Sequence, residues 1–172
     1  FFSVIIPVFN RAEALRAAIG SVLEQSCQDF EIVVVDDGSA DDPRTVAQSF
    51  GDPRIRFFRQ DNAGGGAARN TALDKALGRF IAPLDSDDLF LPGHLERMRA
   101  LLDGTTGTVG YARILVDRGQ DRIIVKPPRA IAPGEDMATY LLCDRGFVPT
   151  ITIVAPRDAA CRSRSSISGV RR

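Results

Sequence analysis

The chain predicts an α/β fold, a mainly parallel sheet flanked by helices with a small antiparallel extension in its second half. Short β-branched runs alternate with segments of helical periodicity from Phe2 to Leu102. Those runs are almost continuously apolar, as strands covered on both faces of a parallel sheet are. Strand, helix, strand in this rhythm makes right-handed βαβ units.

Residues 2–9 (F-S-V-I-I-P-V-F) form the first strand, and Asn10 is placed to cap the first helix. Leu15, Ala18, Ile19, Val22 and Leu23 recur at helical spacing, predicting that helix, amphipathic, over 12–25. Residues 31–35 (E-I-V-V-V) are a second buried strand, 43–50 a short helix with Pro43 in its first turn, and 55–58 a third strand. The glycine loop 62–66 (N-A-G-G-G) opens a helix over 67–77 that Gly78 ends. A fourth strand is predicted at 80–84 and another helix at 91–102.

The second half has a different character. Residues 109–116 and 122–125 read as two strands of a hairpin, 134–142 as a modest helix and 150–154 as a last strand. After Pro156 the periodicity dissolves. Residues 1–160 are therefore assigned to one domain, and 161–172, carrying four arginines, to an irregular, disordered tail.

Composition narrows the function classes. At 172 residues, with 44% hydrophobic and 26% charged side chains, the chain is long enough and apolar enough to bury a substantial core. The 22 basic and 22 acidic groups cancel, so no global field favours nucleic acid. No apolar run is longer than a strand, and no signal peptide is evident. Cys27, Cys143 and Cys161 are odd in number and widely spaced, which argues against a disulfide framework or zinc site and for a reducing compartment. The chain opens on Phe1 rather than Met, so it also reads as a fragment or a processed form.

In open α/β sheets, ligands bind at the carboxyl ends of the strands. Three polar clusters fall there: Pro7-Val8-Phe9-Asn10, Asp36-Asp37-Gly38-Ser39, and Asp85-Ser86-Asp87-Asp88. Three carboxylates within four residues repel one another, and a hard divalent cation would hold them together. The alternative is a solvated acidic turn before the next helix. Asp36 and Asp37 suit hydrogen bonding to a uracil or guanine ring N–H, or equally an Asx turn. The helix after Gly64–Gly66 offers N–H groups to an anion, with Arg69 in its first turn. Together these features would hold a nucleoside diphosphate and its metal.

In order and spacing, S-V-I-I-P-V-F-N-R (3–11), E-I-V-V-V-D-D-G-S (31–39), N-A-G-G-G-A-A-R-N (62–70) and G-R-F-I-A-P-L-D-S-D-D (78–88) followed by Pro92 resemble the family 2 glycosyltransferases of the Rossmann-like GT-A fold. The resemblance covers residues 3–102 and, more loosely, 134–158. It implies that Pro7 and Val8 line a nucleoside pocket, with Asp37 on the base and Asp36 supporting it. Gly64 and Arg69 would lie beside the donor, and Asp85 and Ser86 near the ribose and diphosphate. Asp87 would be the metal ligand of the D-x-D motif, with Asp85 and Asp88 as further candidates, for Mn²⁺ or Mg²⁺. The family is inverting and uses a carboxylate base in its second half, expected here after Asp158. No such motif is found there, and the catalytic base is left unassigned.

Glu135-Asp136 reads instead as a pair of charges opening a helix, and the lone His94 as a surface or structural residue. The resemblance implies transfer of a sugar from a nucleotide-sugar donor, UDP-linked by default, to a saccharide, lipid-linked or glycoconjugate hydroxyl. A silent nucleotide-sugar-binding module is the alternative. Without tryptophan the chain lacks the Q-x-x-R-W signature of processive synthases, so single transfers in surface polysaccharide, lipopolysaccharide or glycoconjugate assembly are expected. The implied location is cytoplasmic, compatible with peripheral attachment to the inner membrane face.

Overall fold

Apolar runs make the strands, and the helices cover both of their faces. β1 (Phe2–Val8) lies between β2 (Phe30–Asp36) and β4 (Phe80–Pro83), with β3 (Ile55–Arg59) beyond β2. These four are parallel, with Phe2 level with Phe30 and Phe80, and Val8 level with Asp36. β5 (Gly110–Tyr111) pairs antiparallel with β8 (Ile153–Pro156), which pairs antiparallel with β4. The order is β3-β2-β1-β4-β8-β5, and a separate antiparallel pair is formed by β6 (Ile114–Asp117) and β7 (Ile123–Lys126). The computed structural model describes residues 1–112, 114–117, 123–126 and 152–162. The sheet is mostly parallel and flanked by helices, as the sequence predicts.

Alternation along β1 divides the core. Val4, Ile6 and Val8, with Ile32 and Val34, pack against Leu15, Ala18, Ile19 and Val22 of α1 (Ala12–Leu23) and Leu95, Met98 and Leu102 of α4 (His94–Leu102). Each fully buried Leu, Ile or Val side chain contributes about 1.5–3 kcal/mol relative to exposure. Ile5, Val33, Val35 and Ile81 face the other way, onto Ala68 and Ala72 of α3 (Gly65–Lys75) and onto Ala76. The fully buried positions of α3 on that stripe are alanines, with Leu73 partly buried beside them, so the helix can sit close to the strands it crosses.

Several local expectations need correction. Asn10 does not cap α1. It adopts a positive φ of 51° and its Oδ1 accepts from Ala40 N–H, while Asp41 Oδ2 accepts from Ala12 N–H at 2.7 Å. The cap comes from the loop after β2 because the two loops lie side by side. α2 (Pro43–Gln48) is shorter than predicted and is capped by Asp42. α3 begins two residues earlier than predicted, inside the glycine loop, and ends at Lys75. Gly78 therefore does not terminate it. A Cβ there would lie 2.6 Å from Phe2 C and Ser3 N, so glycine lets this turn pass directly over β1.

The predicted strand over 109–116 is divided. Gly110–Tyr111 joins the main sheet and Ile114–Asp117 the separate pair. The chain after Pro156 forms α5 (Arg157–Arg162), so Cys161 and Arg162 close a helix rather than open an irregular tail. Arg157 anchors it, donating from its backbone N–H to Arg79 O at 2.9 Å and from its guanidinium to Ala76 O at 2.8 Å. The predicted helix over 134–142 and residues 163–172 lie outside the described residues.

Gly78→Ala is expected to destabilise the domain by about 1–3 kcal/mol, because the added methyl overlaps backbone that cannot rotate away. Gly66→Ala, in helix with open space around it, is expected to be neutral or to stabilise by up to about 1 kcal/mol. Urea unfolding of both variants checks this contrast.

Candidate functional site

The carboxyl ends of β1, β2 and β4 lie along one edge of the sheet. Beyond the last β1–β4 pair, Ile5 with Pro83, Leu84 N–H still donates to Ile5 O at 3.0 Å, so Asp85 and Ser86 emerge beside Pro7 and Val8. Pro7 has no N–H to give, and it sits where the β4 ladder has already ended. The start of α3 closes the opposite side. The result is a cleft of about 380 Å³ lined by Pro7, Val8, Phe9, Arg11, Asp37, Gly65, Ala68, Arg69, Asp85, Ser86 and Asp87.

Asp37 organises one wall. Its Oδ1 accepts from Gln60 Nε2 at 2.7 Å and Ala63 N–H at 3.0 Å, and its Oδ2 accepts from Gly64 N–H at 2.8 Å. Gln60 Oε1 accepts in turn from Thr71 Oγ1 at 2.6 Å, so one carboxylate ties the end of β2 to the glycine loop at Ala63 and Gly64 and, through Gln60, to α3. Gly38, at φ 83°, makes room, since a Cβ there would come within 3.1 Å of Asn62 N. Burial acts to raise the Asp37 pKa, but donation from Ala63, Gln60 and Gly64 outweighs it and holds the group below its ordinary 3.8. A carboxylate has about four lone-pair sites, and three are filled here, which leaves capacity for one more donor.

Asp36 is fully buried and does not line the cleft. Its Oδ1 accepts from Ser39 N–H at 2.8 Å and its Oδ2 from Arg59 Nη1 at 3.0 Å. Gly64 also stands back from the lining, at the N-cap of α3 with φ 91°. Pro7, Val8, Asp37, Arg69, Asp85, Ser86 and Asp87 are brought together as lining residues; Asp88 is not among them.

The acidic corner carries its own cations. Arg69 Nη2 donates to Asp85 Oδ1 at 2.5 Å, and Arg11 Nη1 pairs with Asp87 Oδ2. Asp88 has no such partner among the described residues: burial, then Asp87, then Asp85 raise its pKa, opposed by Arg11. The segment is held from behind, where Ser21 Oγ accepts from Phe90 N–H at 3.1 Å and Gln25 bonds Leu91 O and Leu95 N–H at 3.0 and 3.1 Å. Among the described residues no three carboxylate, thiol or imidazole groups converge to hold a metal by themselves. The donor set is nevertheless all oxygen, which suits a hard cation that takes one or two carboxylates and fills its remaining positions from phosphate and water. His94 is mostly buried and packed on Phe90, with ring centroids 4.3 Å apart, and burial followed by Arg97 pushes its pKa down to about 4. That is a structural position.

Phe9, Arg11, Gln60 and Ala68 join the site without a role legible in the sequence. Arg11 stands inside a recognised motif, but its partner is 76 residues away, so only the fold reveals the pair.

The chain belongs to glycosyl transferase family 2, whose family model matches residues 3–161. It is 43% identical over 101 residues to an Escherichia coli protein described as UDP-Glc:alpha-D-GlcNAc-diphosphoundecaprenol beta-1,3-glucosyltransferase WfgD, covering 58% of this chain and 40% of that protein. In fold it is similar to S. aureus TarS 1–349 in complex with UDP-GlcNAc, with TM-score 0.75 at 23% identity over 95% of this chain and 47% of that one. A mannosyltransferase from Pyrobaculum calidifontis in complex with GDP-Man and Mn2+ matches with TM-score 0.55 at 28% identity, covering 62% of this chain and 33% of that one. The chain spans between 16% and 58% of the length of curated relatives it matches. Its sheet and helices are those of a GT-A domain. Among the described residues no helix is long and apolar enough to cross a membrane.

Two pH windows arise from the site. Between pH 6.5 and about 4 the unfolded chain protonates His94 while the folded chain does not, so stability falls across that range. The lowered pKa of Asp37 contributes stability that is present above 3.8 and lost as the pH falls further. In urea titrations against pH, His94→Phe is expected to flatten the first window, and Asp37→Asn to reduce the acid loss of the second, which Asp37 shares with Asp29, Glu31 and Asp52.

Proposed function

We propose that this domain binds a nucleotide sugar, UDP-linked by default, together with Mn²⁺ or Mg²⁺, and transfers the sugar with inversion to a hydroxyl of a saccharide, lipid-linked or glycoconjugate acceptor. The observation that carries the reading is the convergence of Asp37, the N-terminus of α3, Arg69 and the Asp85–Asp87 corner on one cleft. WfgD, whose description names a UDP-glucose donor and a diphosphoundecaprenol-linked acceptor, supports the same donor and acceptor classes here.

In this reading the remaining lone pair of Asp37 accepts from the base, between Pro7 and Val8 on one side and the glycine loop on the other. The first-turn N–H groups of α3, beginning at Gly65, and the Arg69 guanidinium face the diphosphate, which gathers charge as the bond to the anomeric carbon breaks. Asp87, flanked by Asp85, would hold the metal, which when bound supplies Lewis-acid neutralisation of the leaving diphosphate. A general base taking the acceptor's proton would add roughly 10²–10⁴ in rate. The described residues supply no assigned candidate, and Glu135-Asp136 lies outside them.

Thermal unfolding with UDP and Mn²⁺ tests this. Ligand at about a hundred times its Kd adds about 2.7 kcal/mol, a rise of roughly 5–10 °C for a chain of this size. Asp87→Ala is expected to abolish the Mn²⁺-dependent part of that rise. Asp37→Ala is expected to weaken binding, partly by releasing the glycine loop, and to leave the metal dependence in place. Undiminished metal dependence in the Asp87 variant would refute the assignment.

A further inference from the structure

We infer that Arg11 and Arg69 are exchangeable counterions of the carboxylate corner, so that the arriving diphosphate unlocks Asp87 for the metal. The inference rests on the nucleotide reading above and adds to it the order in which the site is filled. Asp87 is engaged by Arg11 and Asp85 by Arg69, so a divalent cation arriving alone must displace a guanidinium. Three carboxylates and two guanidinium groups leave this corner with about one net negative charge, a weak lure for a free cation and a weak barrier to an anion.

Both arginines are poised to change partner. The Arg11–Asp87 pair is about half exposed on each side, the regime in which an ion pair is worth little and is readily exchanged. Arg69 lies against Gly65, at the mouth of α3, and its Nε is buried with no acceptor among the described residues. Its present pairing thus leaves a donor unsatisfied, and a phosphate oxygen offers the guanidinium a second anion. A diphosphate accepts from Arg11 and Arg69 and returns Asp87 and Asp85 as oxygen ligands at the same moment. The nucleotide and the metal then bind with positive coupling, each strengthening the other by the same factor.

The signature is a pair of opposite effects from a single substitution. In Arg11→Gln, Mn²⁺ without nucleotide should bind roughly two- to fivefold tighter, read by the loss of the free-ion EPR signal, because its competitor has gone. In the same variant UDP without metal should bind roughly threefold or more weakly by calorimetry, because a phosphate partner has gone. Asp87→Asn, which frees Arg11, should raise metal-free UDP affinity more than Asp88→Asn, which removes a charge from the same corner but leaves the Arg11 pair intact. If Mn²⁺ alone binds Arg11→Gln no more tightly than wild type, or if the two Asn variants gain equally, the exchange is overturned while the nucleotide reading stands. If neither wild type nor any variant binds UDP, with or without Mn²⁺, the nucleotide reading fails and this inference falls with it.

Discussion

The buried, ionised carboxylate of Asp37 sets the shape of the site. Standing at the end of β2, it accepts from the side chain of Gln60 and from the backbone of Ala63 and Gly64, and so draws the glycine loop down against the sheet. That placement starts α3 at Gly65 with its N-terminus facing the ends of β1 and β4. Arg69 is carried on the first turns of that helix and reaches Asp85 from there, so its position depends on the same anchor. Removing the Asp37 charge would disturb the loop, the helix mouth and the arginine together.

The opposite wall answers a different constraint. Like-charge repulsion among Asp85, Asp87 and Asp88 has to be offset in a half-buried position. A bound cation is one solution that the sequence suggests. The fold supplies another, two arginines from the β1–α1 loop and from α3, while burial, then Asp87 and Asp85, raise the pKa of Asp88. These solutions are compatible if the arginines act as placeholders. Charge balance by the arginines and metal binding are then two uses of one set of side chains.

The parallel half of the fold was legible because β1, β2 and β4 are buried on both faces and carry unbroken apolar runs. Polar clusters at their ends pointed to the cleft for the same reason: a parallel sheet gathers those ends on one edge. What escaped depends on contacts remote in sequence. Asp41 caps α1 across 29 residues, Arg11 meets Asp87 across 76, and α5 is held by Arg157 reaching Ala76, so local pattern carried no sign of them. The division of residues 109–116 escaped for a related reason, since Gly110–Tyr111 takes its place by pairing with Ile153–Val154, a strand far along the chain. Gly78 stands out in the sequence, but the close passage over Phe2 and Ser3 that requires glycine is visible only in three dimensions.

Paramagnetic broadening by Mn²⁺ tests the convergence of these walls most directly. With UDP present, backbone amide signals of Gly38, Gly64, Gly65, Ser86 and Asp87 should broaden together, because they line or adjoin one cleft, while those of Gly51 and Gly78 should stay sharp. Broadening centred at Gly51 or Gly78, or at Asp87 without Gly64 and Gly65, would contradict a single shared site.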